Sequence, residues 1–465
     1  MTTKKPNVVV CLCDQLRAMD IACYGSSFVK TPNIDALASS GVRFDIACSN
    51  NPVCTPGRSM LLSGQYSRSC LGALGNVAEP VRERKVFPGP TLAESFKSAG
   101  YRTGLIGKWH IGPHPRTVGF DSAFFPHHSH RYTGQTFFDI DDHSRVVDGF
   151  CPEAEQDELG RFLKTDPGEP FFLYYNISQP HMPLDDMPER YKRMYSPADV
   201  PLRPNVFADG KPAYNEKWFQ IYLWDYLFYD KHLPYTEKLP TPPSPPSQGG
   251  AKDGFDLRHL TALYYGAIAW ADDQLGELMR QLAAAGLDEN TIVIFTSDHG
   301  DNLGSHQLFN KDELYDESIR VPMIYRWPAG LAPRQIDTQV ASLVDVMPTV
   351  LSLAGVDIPS SVQGTDLSRV AAGDEQSTGE NAAFIETIGG DVGIRTLTHL
   401  YGVKKAKDAK HRTSHVIEDR HMFFDVTSDP LETHNLADTS HCDPLAETLR
   451  ERVLKWDTET KWLEA

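Results

Sequence analysis

Four stretches of this chain are apolar without alternation, and each stops abruptly at residues able to do chemistry. Val8-Val9-Val10-Cys11-Leu12-Cys13 runs into Asp14-Gln15, and Tyr101 to Ile106 runs into Gly107-Lys108-Trp109-His110. Phe171 to Tyr175 leads to Gln179-Pro180-His181, and Thr291 to Ser297 leads to Asp298-His299-Gly300. A strand with one buried face alternates apolar and polar residues, whereas an unbroken apolar run needs cover on both faces, as in a parallel sheet between helices. Helical punctuation falls between the runs. Thr31-Pro32 opens a segment that Gly41 closes, Thr91 and Glu94 form a capping box with Gly100 as the stop, and Leu257 to Leu282 is amphipathic and ends near Gly286. This alternation predicts an α/β domain with a mainly parallel central sheet flanked by helices. Ligands of such sheets bind beyond the carboxyl ends of the strands, so the four polar endings are expected to meet in one cleft.

After about Ser360 the long apolar runs cease. Shorter strands over residues 383–387, 393–403 and 421–426, with a final helix near 444–456, predict a small antiparallel sheet with a helix. The expected division is a large domain over residues 1–360 and a small C-terminal α+β subdomain over 361–465. Residues 239–250, rich in Pro, Ser and Gly, read as an extended spacer inside the large domain. The aromatic cluster at 218–229 before it reads as an insertion packed on the core, with a lid or subunit contact as the other reading.

A net charge of -17 over 465 residues argues against a nucleic-acid partner, which needs a basic face. An anionic ligand has to be drawn in locally. The first apolar run is too short to be a secretion signal or to span a bilayer, and we expect a cytoplasmic protein with no membrane partner. Eight cysteines, two of them inside a core strand, do not resemble a disulfide framework.

Cys54 stands just before Pro56 where a helix is expected to begin, with Gly64 as its stop. A helix start presents unpaired N–H groups and the positive end of the dipole, which favours an anion there. Cys54-x-Pro56-x-Arg58 with Ser63-Gly64 resembles the signature of the type I sulfatases of the alkaline-phosphatase superfamily. Gly107 to Gly112 resembles a second signature of that family. Asp298-His299-Gly300-Asp301, Leu303 to His306, Lys311 and Tyr315 to Pro322 resemble its later metal and lysine block, and Asp429 to Leu436 a C-terminal pattern.

The resemblance implies a large alkaline-phosphatase-like catalytic domain that hydrolyses an organic sulfate monoester, such as a sulfated sugar. It implies that Cys54 is oxidised to formylglycine by a formylglycine-generating enzyme, although Gly57 departs from the usual Ser or Ala. Asp14, Gln15, Asp298 and His299, with an oxygen of modified residue 54, would hold one divalent metal ion. Gln15 and His299 replace the Asp and Asn of many relatives, so Ca²⁺ ranks only narrowly ahead of Mn²⁺ or Mg²⁺. Arg58 and Lys108 would steady the nucleophile, Lys311 a sulfate oxygen, His110 would be the base and His181 the acid, with Lys311 as its alternative. His127, His128, His130 and Arg131, and more weakly His306, are candidates for binding the organic part of the substrate. Phosphonate monoester or phosphodiester hydrolysis is the runner-up, and a non-catalytic sulfate-ester binder is the reading if Cys54 stays a thiol. Self-association is left open.

Overall fold

In the computed structural model, which describes residues 4–76, 87–126, 131–165, 168–184, 186–208, 211–212, 257–438 and 444–464, every residue of β1 (Asn7–Asp14) is buried. Its alternate side chains enter two separate layers, which explains the unbroken apolar run. Val8, Val10 and Leu12 pack with the helices Cys54–Ser63, Leu92–Ser98 and Val346–Leu353. Val9, Cys11 and Cys13 pack with Pro32–Ser39, Cys151–Lys164 and Leu257–Ala284. The Thr91–Glu94 capping box is formed, and Gly64 closes the helix of Cys54 at φ +64°.

Along the chain follow β2 (Val42–Cys48), β3 (Arg102–Gly107), β4 (Ser122–Pro126), β5 (Thr136–Asp139), β6 (Ser144–Val146) and β7 (Phe171–Pro180). The two-residue strands β8 (Phe207–Ala208) and β9 (Lys211–Pro212) pair only with each other. Then come β10 (Thr291–Ser297), β11 (Met323–Arg326) and β12 (Arg334–Ser342). The main sheet has ten strands in the order β12-β2-β11-β10-β1-β7-β3-β4-β5-β6. Its centre, β10-β1-β7-β3, is parallel throughout, with Val10 facing both Tyr174 and Ile294. These are the four strands whose polar endings the sequence singles out, so all four release their chains at one edge. The α/β expectation with a mainly parallel sheet is met.

A second, smaller sheet is the antiparallel meander of β13 (Ala383–Glu386), β14 (Asp391–Arg395), β15 (His399–Lys407) and β16 (Thr413–Asp425). The helix Pro444–Glu459 covers one face through Ala446, Leu449, Val453 and Trp456. The other face sets Ala383, Ile385, Leu400 and Phe424 against Ile319 and against Cys48 and Val340 of the main sheet. Residues 393–403, read as one strand, are the facing halves of a hairpin, turned where the Thr396 amide donates to the His399 carbonyl at 2.9 Å. The turn Thr396-Leu397-Thr398 has no Gly, Asn or Pro to mark it. The last strand starts at Thr413, before the expected start at His421, because its first half is largely exposed and polar apart from Val416 and Ile417. The Pro-rich spacer and the aromatic cluster lie outside the described residues. Among the described residues no helix is long and apolar enough to cross a membrane.

The second sheet is pinned to the rest of the protein by buried ions as well as by the apolar seam. Arg68 meets Glu386 of β13 at 2.6 Å and Asp457 of the last helix at 2.8 Å, and stacks over Trp456 and Trp462. Arg395 grips both oxygens of Asp316 at 2.9 and 3.0 Å. Arg68→Met keeps much of the side-chain volume but strands a fully buried Glu386, and should lower stability by about 3–5 kcal/mol in urea unfolding. The companion change Glu386→Gln should recover a large part of that loss, because no bare carboxylate then stays buried.

Candidate active site

The cleft begins with two acids carried at the ends of adjacent strands. Asp14 ends β1 and Asp298 follows β10; both are wholly buried. Arg58, one turn into the helix that Cys54 opens, lies between them. Its Nη2 is 2.8 Å from Asp14 Oδ2 and its Nε 3.0 Å from Asp298 Oδ2. Nη1 donates to Asn176 Oδ1 at 3.1 Å and to the Lys108 carbonyl at 3.2 Å, so one guanidinium ties the helix of Cys54 to β1, β10, β7 and the end of β3. Lys108 Nζ also contacts Asp14 Oδ2. Burial and the neighbouring Cys54 push the Asp14 carboxyl up, but Lys108, His181 and Arg58 outweigh them and hold it well below the usual range. Asp298 goes the other way, pushed up to about 6 by burial and by Asp14.

Cys54 Sγ is 2.9 Å from Lys311 Nζ, 3.2 Å from His299 Nε2 and 3.8 Å from Asp14 Oδ1. Burial alone would raise the thiol's pKa; Lys311, Lys108 and His299 reverse this and bring it well below the ordinary value. An anionic atom is therefore stable at this position, as the helix start suggests. His299 Nδ1 donates to the Gly300 carbonyl at 2.8 Å, which turns the Nε2 lone pair inward. His181 is held the same way, Nδ1 donating to the Met182 carbonyl at 2.6 Å, with Nε2 4.0 Å from Asp14 Oδ1. Burial and Lys108 lower His181 to about 4, and burial also lowers His110. His110 has a left-handed backbone (φ +50°), and its side chain hydrogen-bonds Cys54.

Oxygen, nitrogen and sulfur atoms of Asp14, Asp298, His299 and Cys54 all lie within 4.8 Å of one another. Two buried carboxylates converging on an inward imidazole lone pair fit a divalent cation, whose charge would relieve the repulsion seen at Asp298. Gln15 lies beside this group, its backbone amide donating to Asp298 Oδ1 at 3.1 Å and its Oε1 accepting from Lys311 Nζ at 3.0 Å. The remaining candidates fall elsewhere. His127, His128 and His130 are outside the described residues. Arg131 is half-buried, and its carbonyl accepts from Gln135. His306 stacks on Tyr315 at 3.6 Å and meets Asn205 at 3.1 Å and Glu317 at 3.6 Å, none of which belongs to the group around Cys54. Sequence reasoning passed over Asn176 and Asp301. The first hides at the end of an apolar strand, while the second sits in plain view in the Asp298-His299-Gly300-Asp301 motif.

A sulfatase family profile matches residues 6–356, and a profile for the C-terminal part of N-sulphoglucosamine sulphohydrolase matches 304–459. The chain belongs to the sulfatase family. It is 30% identical to an ulvan-active sulfatase of Formosa agariphila over 97% of this chain and 81% of that one. An N-acetylglucosamine-6-O-sulfatase of Bacteroides thetaiotaomicron is 26% identical, over 93% and 83% of the two chains. The solved structure of sulfatase yidJ of Bacteroides fragilis superimposes with a TM-score of 0.77 at 26% identity, covering 99% of this chain and 97% of that one. This sulfatase is thus a sulfuric ester hydrolase with an alkaline-phosphatase-like fold, and the family generally uses a divalent cation and a formylglycine.

The Gly at position 57 has a local cause. A Cβ built there would lie 2.7 Å from the Asp298 carbonyl oxygen, so the residue that follows β10 approaches the helix of Cys54 more closely than a side chain allows. Gly57→Ala should push Asp298 outward and weaken divalent-cation binding by about 10–100-fold, the range for changes just behind metal ligands, as read by calorimetric titration of the metal-free sulfatase.

Proposed function

We propose that this sulfatase removes sulfate from a sulfated saccharide, with Cys54 converted to formylglycine as the nucleophile. The observation that carries the reading is the placement of Cys54 Sγ, at a helix start and between Lys311 and His299 at 2.9 and 3.2 Å. The names of the ulvan-active and N-acetylglucosamine-6-O-sulfatase relatives support a saccharide as the alcohol. The hydrate of formylglycine would offer one oxygen to attack sulfur and a second to form the aldehyde as the first departs with the sulfate, and a bound divalent cation would stabilise negative charge on the attacking oxygen.

The chain's own residues do the rest. Asp14, Asp298, His299 and Gln15 are the cation's holders. Arg58 and Lys108 balance the two acids, so the site keeps a net attraction for an anionic ester although the whole protein is acidic. Lys311, aimed at the position of the nucleophile, takes a sulfate oxygen. His181 donates its Nε2 proton to the departing alcohol, and His110 takes the proton that lets the enzyme release sulfate. A resting His181 with a pKa near 4 is neutral at pH 7, so the incoming anion has to raise its proton affinity for it to serve as acid.

Cys54→Ser should accept sulfate once and fail to release it, because serine cannot return to an aldehyde. A mass shift of one sulfate without turnover is the expected result; sustained turnover would refute the nucleophile's role. His181→Ala should lose about 10²–10⁴-fold on esters of poorly acidic alcohols and far less on activated aryl esters. His110→Ala should instead show a burst of alcohol followed by slow turnover at any leaving-group acidity. On fully converted protein, a panel of sulfate, phosphate and phosphonate esters should favour saccharide sulfates, and faster phosphonate turnover would move the assignment to the runner-up. We read the cation as Ca²⁺ because two carboxylates and an amide oxygen suit it; elemental analysis of protein purified without added metal that finds Mn²⁺ or Mg²⁺ would replace it.

A further inference from the structure

Among the residues grouped around the cation site, Gln15 alone has a side chain with two chemically opposite ends of nearly equal shape, an oxygen that accepts and a nitrogen that donates. Which end faces the site decides whether Gln15 helps a cation or repels it. The residue has a left-handed backbone, φ +68°, and is wholly buried, so its conformation is imposed by its partners. Its amide donates to Asp298 Oδ1 at 3.1 Å and its carbonyl accepts from Tyr264 OH at 2.6 Å. Its Nε2 donates to Asp301 Oδ2 at 2.6 Å, while Oε1 accepts from Lys311 Nζ at 3.0 Å. An ammonium only donates, so these partners admit one orientation of the side-chain amide.

Asp301 is itself fixed. Its Oδ1 accepts from the amides of Leu303 at 2.8 Å and Asn310 at 3.1 Å, and it is 0% exposed. Its other oxygen is thereby presented to Gln15. Asp14, Asp298 and His299 are oriented by other groups, chiefly Arg58 and the Gly300 carbonyl. We propose that Asp301 is a positioning residue of the cation site, which points the Gln15 carbonyl oxygen toward the cation and Lys311 without touching substrate or metal.

The proposal has a sharp consequence at Asp301→Asn. The two backbone amides would keep the new side chain's oxygen where Oδ1 is now, so its NH₂ would face Gln15. Gln15 would then turn its carbonyl toward residue 301 and its NH₂ toward Lys311 and the cation. The test is calorimetric titration of metal-free protein with Ca²⁺ and with Mn²⁺, alongside the rise in Tm that each ion produces. Asp301→Asn should weaken binding by about 10–100-fold and shrink that rise. Adding Gln15→Glu should restore it, because a carboxylate accepts both from the new NH₂ at position 301 and from Lys311, whichever way it turns.

A purely structural role for Asp301 would not be rescued by a change at position 15. Unchanged cation affinity in Asp301→Asn, or an Asp301→Asn/Gln15→Glu protein that binds no better, would overturn the proposal. Should Asp301→Asn fail to fold, the double variant decides alone, since it keeps the total charge of the pair; failure of that protein to fold or bind also counts against it. Cation binding is read directly, so this outcome is separate from whether the substrate is a saccharide or Cys54 the nucleophile.

Discussion

Arg58 joins Asp14 and Asp298 at 2.8 and 3.0 Å in a place where none of the three side chains reaches water. Two carboxylates at the ends of neighbouring parallel strands would repel each other across a low-dielectric interior, and the strands themselves hold them there. A guanidinium is suited to the gap because it is planar, always charged and able to bridge several acceptors at once. Through the same group the helix of Cys54 is tied to four strands of the sheet, so the position of Cys54 is set by a charge balance as much as by packing.

That balance is left incomplete on one side. Asp14, Asp298, His299 and Cys54 bring ligand atoms within 4.8 Å of one another, with Lys311 Nζ against Cys54 Sγ and Lys108 Nζ against Asp14 Oδ2. The opposite displacements of the two acids, Asp14 down and Asp298 up, are the electrostatic trace of this asymmetry. A divalent cation fits one side and an anionic ester the other. Preorganised charge of this kind is expensive to assemble from buried groups, and the thick two-sided core around β1 is what sustains it.

Much of this was legible in the chain because it rests on local physics. An apolar run ending in Asp14 or Asp298 is a buried strand delivering an acid, and Cys54 before Pro56 is a helix start, whatever lies around them. The hairpin at residues 395–399 escaped because its turn carries no Gly, Asn or Pro, and the exposed half of β16 escaped because its two apolar residues, Val416 and Ile417, are adjacent and do not alternate with polar ones. Asn176 could not be distinguished from a strand-end polar residue of no consequence until Arg58 was beside it.

The sequence by itself determined the parallel sheet, the cluster of polar strand ends and the sulfatase signature around Cys54, since each depends on neighbours a few residues away. Only the tertiary structure decided how those residues are oriented. Gln15 meets Asp298 across 283 residues of chain and Lys311 across 296, and His306, similar on paper to the site histidines, turns instead to Glu317 and Asn205. Hydrogen-bond direction and charge pairing at such separations arise when strands far apart in the chain come to lie side by side, and no local pattern encodes them.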